Sequence, residues 1–251
     1  MTSTSALKIG AGASILFFPK SVRELVHKKL GEVVVKVYED RGKEYFSEEN
    51  LEELQERIGW ADVVAIGPGL GKNEATQNAI FSLLKKYKSK NFVVDADAVF
   101  ALGNGRYKKL DLRNCVFTPH HSEFSNLIGI SNSDLKKDIL KYGKSFVQKT
   151  GSYLVLKGAP TIIFTASGDA LINTTGNPAL AKFGTGDVLT GFIAGLLSQQ
   201  KEIEKSIVTG VYIHSLAADL LASKRTKFDI LASDIMNYIP QTLKFIEKSV
   251  V

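Results

Sequence analysis

Gly184, Thr185, Gly186 and Asp187 run straight into the apolar stretch VLTGFIAGLL. Small residues at a helix start expose backbone N–H groups, and the helix dipole adds partial positive charge there, so such a loop is suited to an anion. A carboxylate in the same place repels that anion and needs a task of its own. The fitting one is to take the proton from a hydroxyl that attacks a phosphate. An ordinary helix start with an acidic first-turn residue is the alternative. The glycine spacing, the preceding Gly176-Asn177-Pro178 turn and the apolar helix favour the anion hole.

Other segments carry polar or glycine motifs. In GPGLG, Gly67 to Gly71, glycine permits positive φ and lets a ligand approach the backbone, although a tight strand-to-helix turn explains it equally. The spacing is not the GxGxxG fingerprint of a nicotinamide dehydrogenase. VVDADA presents Asp95 and Asp97 on one side of an extended segment. Paired acids can hold magnesium through water, yet Asp97 reads better as a helix cap, with Asp95 facing the site. In TPHHSEF the adjacent His120 and His121 point apart, which argues against a shared metal. His120, at the strand end, is the ligand candidate, and Ser122 is placed to cap a helix with Glu123 in its first turn. His27 and His214 lie in helical patterns, where surface or core roles are expected. Lys157 in LKGAPTII can meet phosphate as a point charge or be an ordinary hairpin lysine. The GKS at Gly143 to Ser145 is no P-loop, because Asp138 stands where the earlier glycine is required.

These motifs need elements to position them. EVVVKVYE, ADVVAIG, NFVVDAD, CVFTP, SYLVLKG and PTIIFTA read as strands, and SGDALINTTGNP as a turn and a short strand closing an antiparallel hairpin. NEATQNAIFSLLKKY, HSEFSNLIG and DLKKDILKYGKSFVQKT read as helices. The last third is helical over VLTGFIAGLLSQ, EKSIVTGVYIHSLAADLLASK and ASDIMNYIPQTLKFIEK. The alternation predicts an α/β fold with a mostly parallel sheet covered on both faces. Ligands of such sheets bind beyond the C-terminal strand ends, where GPGLG, DAD, TPHHSE and KGAP all fall.

The chain has 251 residues, 44% hydrophobic and 23% charged, with no repeat, low-complexity segment or linker, and reads as one domain over 1–251. Its net charge of +6 comes from lysines scattered without interleaved aromatics, which argues against nucleic-acid binding. Cys115 is alone, so neither a disulfide framework nor a cysteine metal site is expected, and it reads as a buried strand residue. No run is long enough to span a membrane, and the N-terminus lacks the pattern of a signal peptide, so a cytoplasmic protein is expected.

AIGPGLG, VVDADAVFAL, TPHHSEFSNL, VLKGAPTII, TGNPALAKFGTGDVLTGFIAGLLSQ and GVYIHSLAADLLA, in this order, resemble the ADP- or ATP-dependent NAD(P)H-hydrate dehydratases, a branch of the ribokinase-like superfamily. The resemblance runs from about Ser5 to the C-terminal region. It implies a three-layer ribokinase-like fold and a repair reaction on hydrated NADH or NADPH, NAD(P)HX. A nucleotide phosphorylates the added ring hydroxyl, and phosphate leaves as the double bond reforms. By resemblance Asp187 is the base, and Gly69 and His120 contact the hydrated nicotinamide beside it. Lys157, Gly158, Ala159, Pro160 and Thr161 hold the nucleotide with Gly184, Thr185 and Gly186, and Asn177 shapes the site. It further implies ADP or ATP as phosphoryl donor, Mg2+ with ligands that sequence does not name, a homotetramer and an epimerase partner. A small-molecule kinase of the same fold, acting on a vitamin precursor or sugar, and a degenerate nucleotide-binding subunit are the alternatives.

Some positions depart from the family pattern. HHSE replaces HPGE, and Ala179 and Phe183 replace glycines, which would bring strain if the backbone needs positive φ there. The family's first strand and glycine-containing loop have no counterpart in the sequence, which would leave sheet edges open, and the fused epimerase domain is likewise absent from it.

Overall fold

The computed structural model describes residues 1–27 and 30–250, apart from the side chains of His27 and Val250. The expectation for His27 therefore lies outside the described residues. Among the described residues six strands form the main sheet in chain order: β3 (Val63–Ile66), β4 (Asn91–Val94), β5 (Cys115–Phe117), β6 (Tyr153–Leu156), β7 (Ile162–Phe164) and β8 (Ala170–Ile172). The first four are mutually parallel. β7 and β8 return antiparallel, the expected hairpin. A separate parallel pair, β1 (Ile15–Pro19) and β2 (Val34–Tyr38), aligns Ile15 with Val34. Among the described residues β3 pairs with β4 alone and stands at one edge of the main sheet.

Among the described residues twelve α-helices accompany the sheets: α1 (Thr2–Lys8), α2 (Arg23–His27), α3 (Leu51–Trp60), α4 (Glu74–Lys86), α5 (Ala96–Ala101), α6 (His121–Ile128), α7 (Asn132–Lys137), α8 (Ile139–Thr150), α9 (Thr185–Gln200), α10 (Ile203–Ala222), α11 (Ala232–Asn237) and α12 (Ile239–Val250). Side chains alternate across a strand, and the core follows that period. Phe92, Val94, Phe117, Leu154, Leu156 and Phe164 pack with residues of α4 to α8 such as Leu83, Phe124 and Phe146. Their neighbours Val93, Val116, Val155 and Ile163 pack with Leu189 and Ile193 of α9 and Ile207 and Val211 of α10. The sheet is thus covered on both faces. Cys115 is buried, and burial pushes its thiol up to about 12, which leaves it inert as expected.

Three expectations need correction. The single helix read over DLKKDILKYGKSFVQKT breaks at Asp138, whose side chain accepts the Lys141 N–H at 3.0 Å and starts α8 as its N-cap. The last helix also breaks, at Tyr238, because Pro240 has no N–H to continue the ladder. β1 and α3 fall outside the expected set. Gly143 lies inside α8, where an added Cβ would come within 2.3 Å of Phe164 Cζ, so it is a packing glycine and not part of a phosphate loop.

The helix after GTGD is buried nearly all round, and two of its glycines admit α1. A Cβ at Gly191 would meet the Thr2 carbonyl at 2.3 Å, and one at Gly195 would meet Ile9 Cγ2 at 2.5 Å. One turn apart, they form a groove that lets α1 approach the α9 backbone.

Candidate active site

The C-terminal ends of β3, β4, β5 and β6 lie side by side. The glycine loop, Asp95, His120 and Lys157 are therefore brought to one edge. The last two strands continue past their ends: His120 bridges Lys157 in parallel, and Lys157 N–H donates to the Pro119 carbonyl at 2.9 Å.

At the start of α9, Gly184 takes φ +88 as N-cap, which favours a residue without Cβ. The Thr185 hydroxyl lies 2.7 Å from the Leu180 carbonyl and 2.8 Å from that of Lys182, and the Thr185 N–H donates to Lys182 at 3.3 Å. Thr185 thus ties the loop down and offers no free hydroxyl. Among the described residues the Gly186 and Asp187 N–H groups have no hydrogen-bond partner, as the first turn of a helix requires of an anion site. The loop substitutions are unstrained, since neither Ala179 nor Phe183 has positive φ. Phe183 is fully exposed at the lip.

Lys157 brings an ammonium group to the start of α9. Its Nζ would lie 3.2 Å from a Cβ at Gly186, and it donates to Asp95 Oδ1 at 2.8 Å. The other Asp95 oxygen accepts from Thr190 Oγ1 of α9 at 2.7 Å. Asp95 is 1% exposed, and a carboxylate buried this deeply must be paired. It therefore anchors Lys157 and does not face a ligand, which corrects its sequence reading. The pairing of Asp95 with Asp97 on one side also fails. Ala96 between them takes φ +45, α5 begins there, and Asp97 Oδ2 accepts the Gly71 N–H at 2.8 Å.

That contact holds the GPGLG loop. Gly67 is obligatory, because a Cβ would lie 1.7 Å from the Asp95 carbonyl oxygen. At Gly69, φ is +74 and an added Cβ would meet nothing within 4 Å, so its backbone faces open space. His120, and not Ser122, caps α6. Its Nδ1 accepts the Glu123 N–H at 3.2 Å, and Glu123 Oε2 accepts the His120 N–H at 2.8 Å. The capped ring stays half exposed. It lines a cavity of about 320 Å³ with His121, Ser122, Asn132, Lys136 and Lys157. His121 lines the same cavity as His120, against the expectation that the two point apart, and a Cβ on Gly158 would meet its Nε2 at 3.0 Å. The Ala159–Pro160 bond is cis, and Thr161 Oγ1 donates to the Gly158 carbonyl at 3.3 Å.

Asn177 contributes through the backbone it holds. Its Oδ1 accepts the Ala179 N–H at 3.0 Å and its Nδ2 donates to Asp219 Oδ1 at 2.8 Å, while Asp219 Oδ2 accepts the Gly176 N–H at 2.7 Å. Asp219, Thr190 and His214 were not singled out by sequence as site residues. The available signal was a polar residue inside an apolar helix, which must find a partner when buried.

Asp187 is half-buried. Burial, and after it the Asp95 charge, raise its carboxyl above the ordinary range. A carboxylate tuned upward beside unpaired N–H groups and an ammonium can accept a proton while an anion is held. Asp95 and Asp97 already have partners, and the described residues contain no group of three or more metal-ligating side chains. The donors present do not make a resident magnesium cage.

A mostly parallel sheet between helices, with a glycine-rich helix start and a carboxylate at its strand ends, is the arrangement of the ribokinase-like class. A solved ribokinase-like superfamily protein from Enterococcus faecalis superposes with a TM-score of 0.82 at 31% identity, over 97% of this chain and 80% of that one. The family model described as NAD(P)H-hydrate dehydratase matches residues 1–241, and the chain belongs to that family. The bifunctional NAD(P)H-hydrate repair enzyme Nnr of Moorella thermoacetica is 35% identical over 251 residues, 100% of this chain and 47% of that protein. The chain spans about half the length of such bifunctional relatives. The ADP/ATP-dependent NAD(P)H-hydrate dehydratase of Bacillus subtilis, co-crystallised with ATP/Mg2+ and soaked with CoA, is 26% identical with a TM-score of 0.77, over 97% of this chain and 84% of that one.

Proposed function

We propose that this chain restores NAD(P)H from its hydrate, using a nucleotide to turn the added hydroxyl into a leaving group. The observation that carries the reading is the pairing of the unbonded Gly186 and Asp187 amides with the raised carboxyl of Asp187 and the Lys157 ammonium. Asp187 takes the proton of the ring hydroxyl as its oxygen attacks the terminal phosphorus of ATP or ADP, and the bond to the bridging oxygen breaks. The amides and Lys157 hold the transferring group. The phosphorylated ring then loses phosphate from one carbon and a proton from the next to water, and the electron pair of that C–H bond reforms the double bond.

Gly69 and His120 bind the hydrated nicotinamide in this reading. Lys157 to Thr161, with Gly184 to Gly186, bind the nucleotide, and Asn177 shapes the turn beside it. Phe183 offers an aromatic face at the lip. Magnesium arrives with the nucleotide and is held chiefly by its phosphates. A single catalytic domain over 1–251, a cytoplasmic location, a homotetramer and an epimerase partner belong to the same reading. No helix among the described residues is long and apolar enough to cross a membrane.

The test separates the dehydratase from a kinase of the same fold. Hydrated NADH and ATP or ADP are incubated with the protein and Mg2+, and phosphorus NMR follows the products. Inorganic phosphate released in step with reduced nicotinamide is expected. A phosphorylated product that persists would establish the kinase instead.

A further inference from the structure

His214 lies in the middle of α10 and is 5% exposed. Its ring packs edge-to-face on Phe192 of α9, with centroids 5.9 Å apart. Its Nε2 is 3.0 Å from the Thr185 carbonyl oxygen. A carbonyl only accepts, so Nε2 must carry the proton. Burial pushes the imidazole down to about 4, so the ring is neutral near pH 7. A neutral, buried imidazole with a fixed tautomer is a rigid donor.

The carbonyl it holds belongs to the same peptide unit as the Gly186 N–H. That unit is planar, and in a trans peptide its C=O and N–H point in opposite directions. Fixing the carbonyl therefore fixes the amide that faces the anion. The Thr185 hydroxyl secures the preceding stretch through Leu180 and Lys182, the Thr185 carbonyl also accepts within the α9 ladder, and among the described residues His214 is the side chain that adds a second donor to it.

We propose that His214 is a positioning residue for phosphoryl transfer: its Nε2–H locks the Thr185–Gly186 peptide so that the Gly186 amide stays aimed at the transferring phosphoryl group. The inference rests on the function proposed above. α10 thus takes part in the chemistry through a peptide bond, without touching the substrate.

The test compares His214→Leu, which keeps bulk and loses the donor, with His214→Gln, which keeps a donor of similar reach. Thermal unfolding establishes that each variant is folded, and kcat and KM are measured with hydrated NADH and the magnesium nucleotide. Preorganised donors count in the transition state, so His214→Leu should lose about 10- to 100-fold in kcat with KM moving less than about threefold, and His214→Gln should recover to within about fivefold of wild type. An undiminished kcat in folded His214→Leu, or equal losses in both variants, would overturn the proposal. Nitrogen NMR of the wild type gives a readout that needs neither variant nor turnover. A protonated Nε2 and a Gly186 amide signal that shifts with inorganic pyrophosphate are expected, and an unprotonated Nε2 overturns the assignment. A wild type without turnover would contradict the proposed function, and the NMR readouts would still decide the role of His214.

Discussion

Asp187 must stay ionised to act as a base, yet its place at the helix start is half-buried and within the field of Asp95, and both raise its carboxyl. Two outcomes follow. The acid limb of the pH–rate profile should lie above the range of an ordinary carboxylate, since activity is lost as pH falls through the raised pKa. An acid limb at the ordinary position would contradict this. Asp187→Asn should lower kcat by at least about 10²-fold, the lower end expected for general base catalysis, while calorimetry finds nucleotide affinity within about threefold of wild type. His120 caps α6, and substitution can separate that role from the substrate contact proposed for it. His120→Ala removes the α6 cap and should reduce stability by about 1 kcal/mol, whereas His120→Asn supplies a good cap. Denaturant unfolding should show the Asn variant recovering that stability. Both should bind hydrated NADH more weakly while nucleotide binding holds, and unchanged substrate affinity in both would remove His120 from the substrate site.

The elements that position these residues were legible in the sequence where the hydrophobic period was long or the motif local. The run after GTGD announced α9, and short Val- and Ile-rich runs announced β3 to β7. β1 is a five-residue strand with only Phe18 buried, so its signal was faint. α3 carries apolar Leu51, Leu54 and Ile58 at helical spacing, a signal the sequence does hold. The break at Asp138 depends on a side chain competing for backbone donors, which a periodicity reading does not detect. Long-range pairing was hidden altogether. The Lys157–Asp95–Thr190 link joins residues 62 and 95 positions apart, and only the sheet order brings them together. Nor does a glycine inside a helix reveal whether its lack of a side chain serves a ligand or a neighbour. At Gly191 it serves α1. Gly191→Ala puts a methyl where the Thr2 carbonyl and the Ser5 side chain already lie, and such overpacking should cost about 1–3 kcal/mol in chemical denaturation. An unchanged midpoint would mean that α1 is free to move away from α9.

At the scale of the whole molecule, the buried imidazole of His214 links stability to pH. Its folded value of about 4 lies below the ordinary 6.5. Between those values the unfolded chain binds a proton that the folded chain excludes, so stability falls as pH is lowered through that window, by about 3 kcal/mol in total. Unfolding free energies at pH 7 and pH 4.5 should show a smaller loss for His214→Gln, and an identical loss would show that other groups govern the window. The two layers of helices, the parallel strand ends and the glycine-rich start of α9 make one assembly, and the chain belongs to the NAD(P)H-hydrate dehydratase family. The most direct measurement is turnover of chemically hydrated NADH by the purified 251-residue chain, with Mg2+ and ADP or ATP, followed by the return of reduced-nicotinamide absorbance. Return of that absorbance with one of the nucleotides, and its loss in Asp187→Asn, is the expected result. No return with either nucleotide, in a folded chain that binds them, would contradict the account and favour a nucleotide-binding protein without this activity.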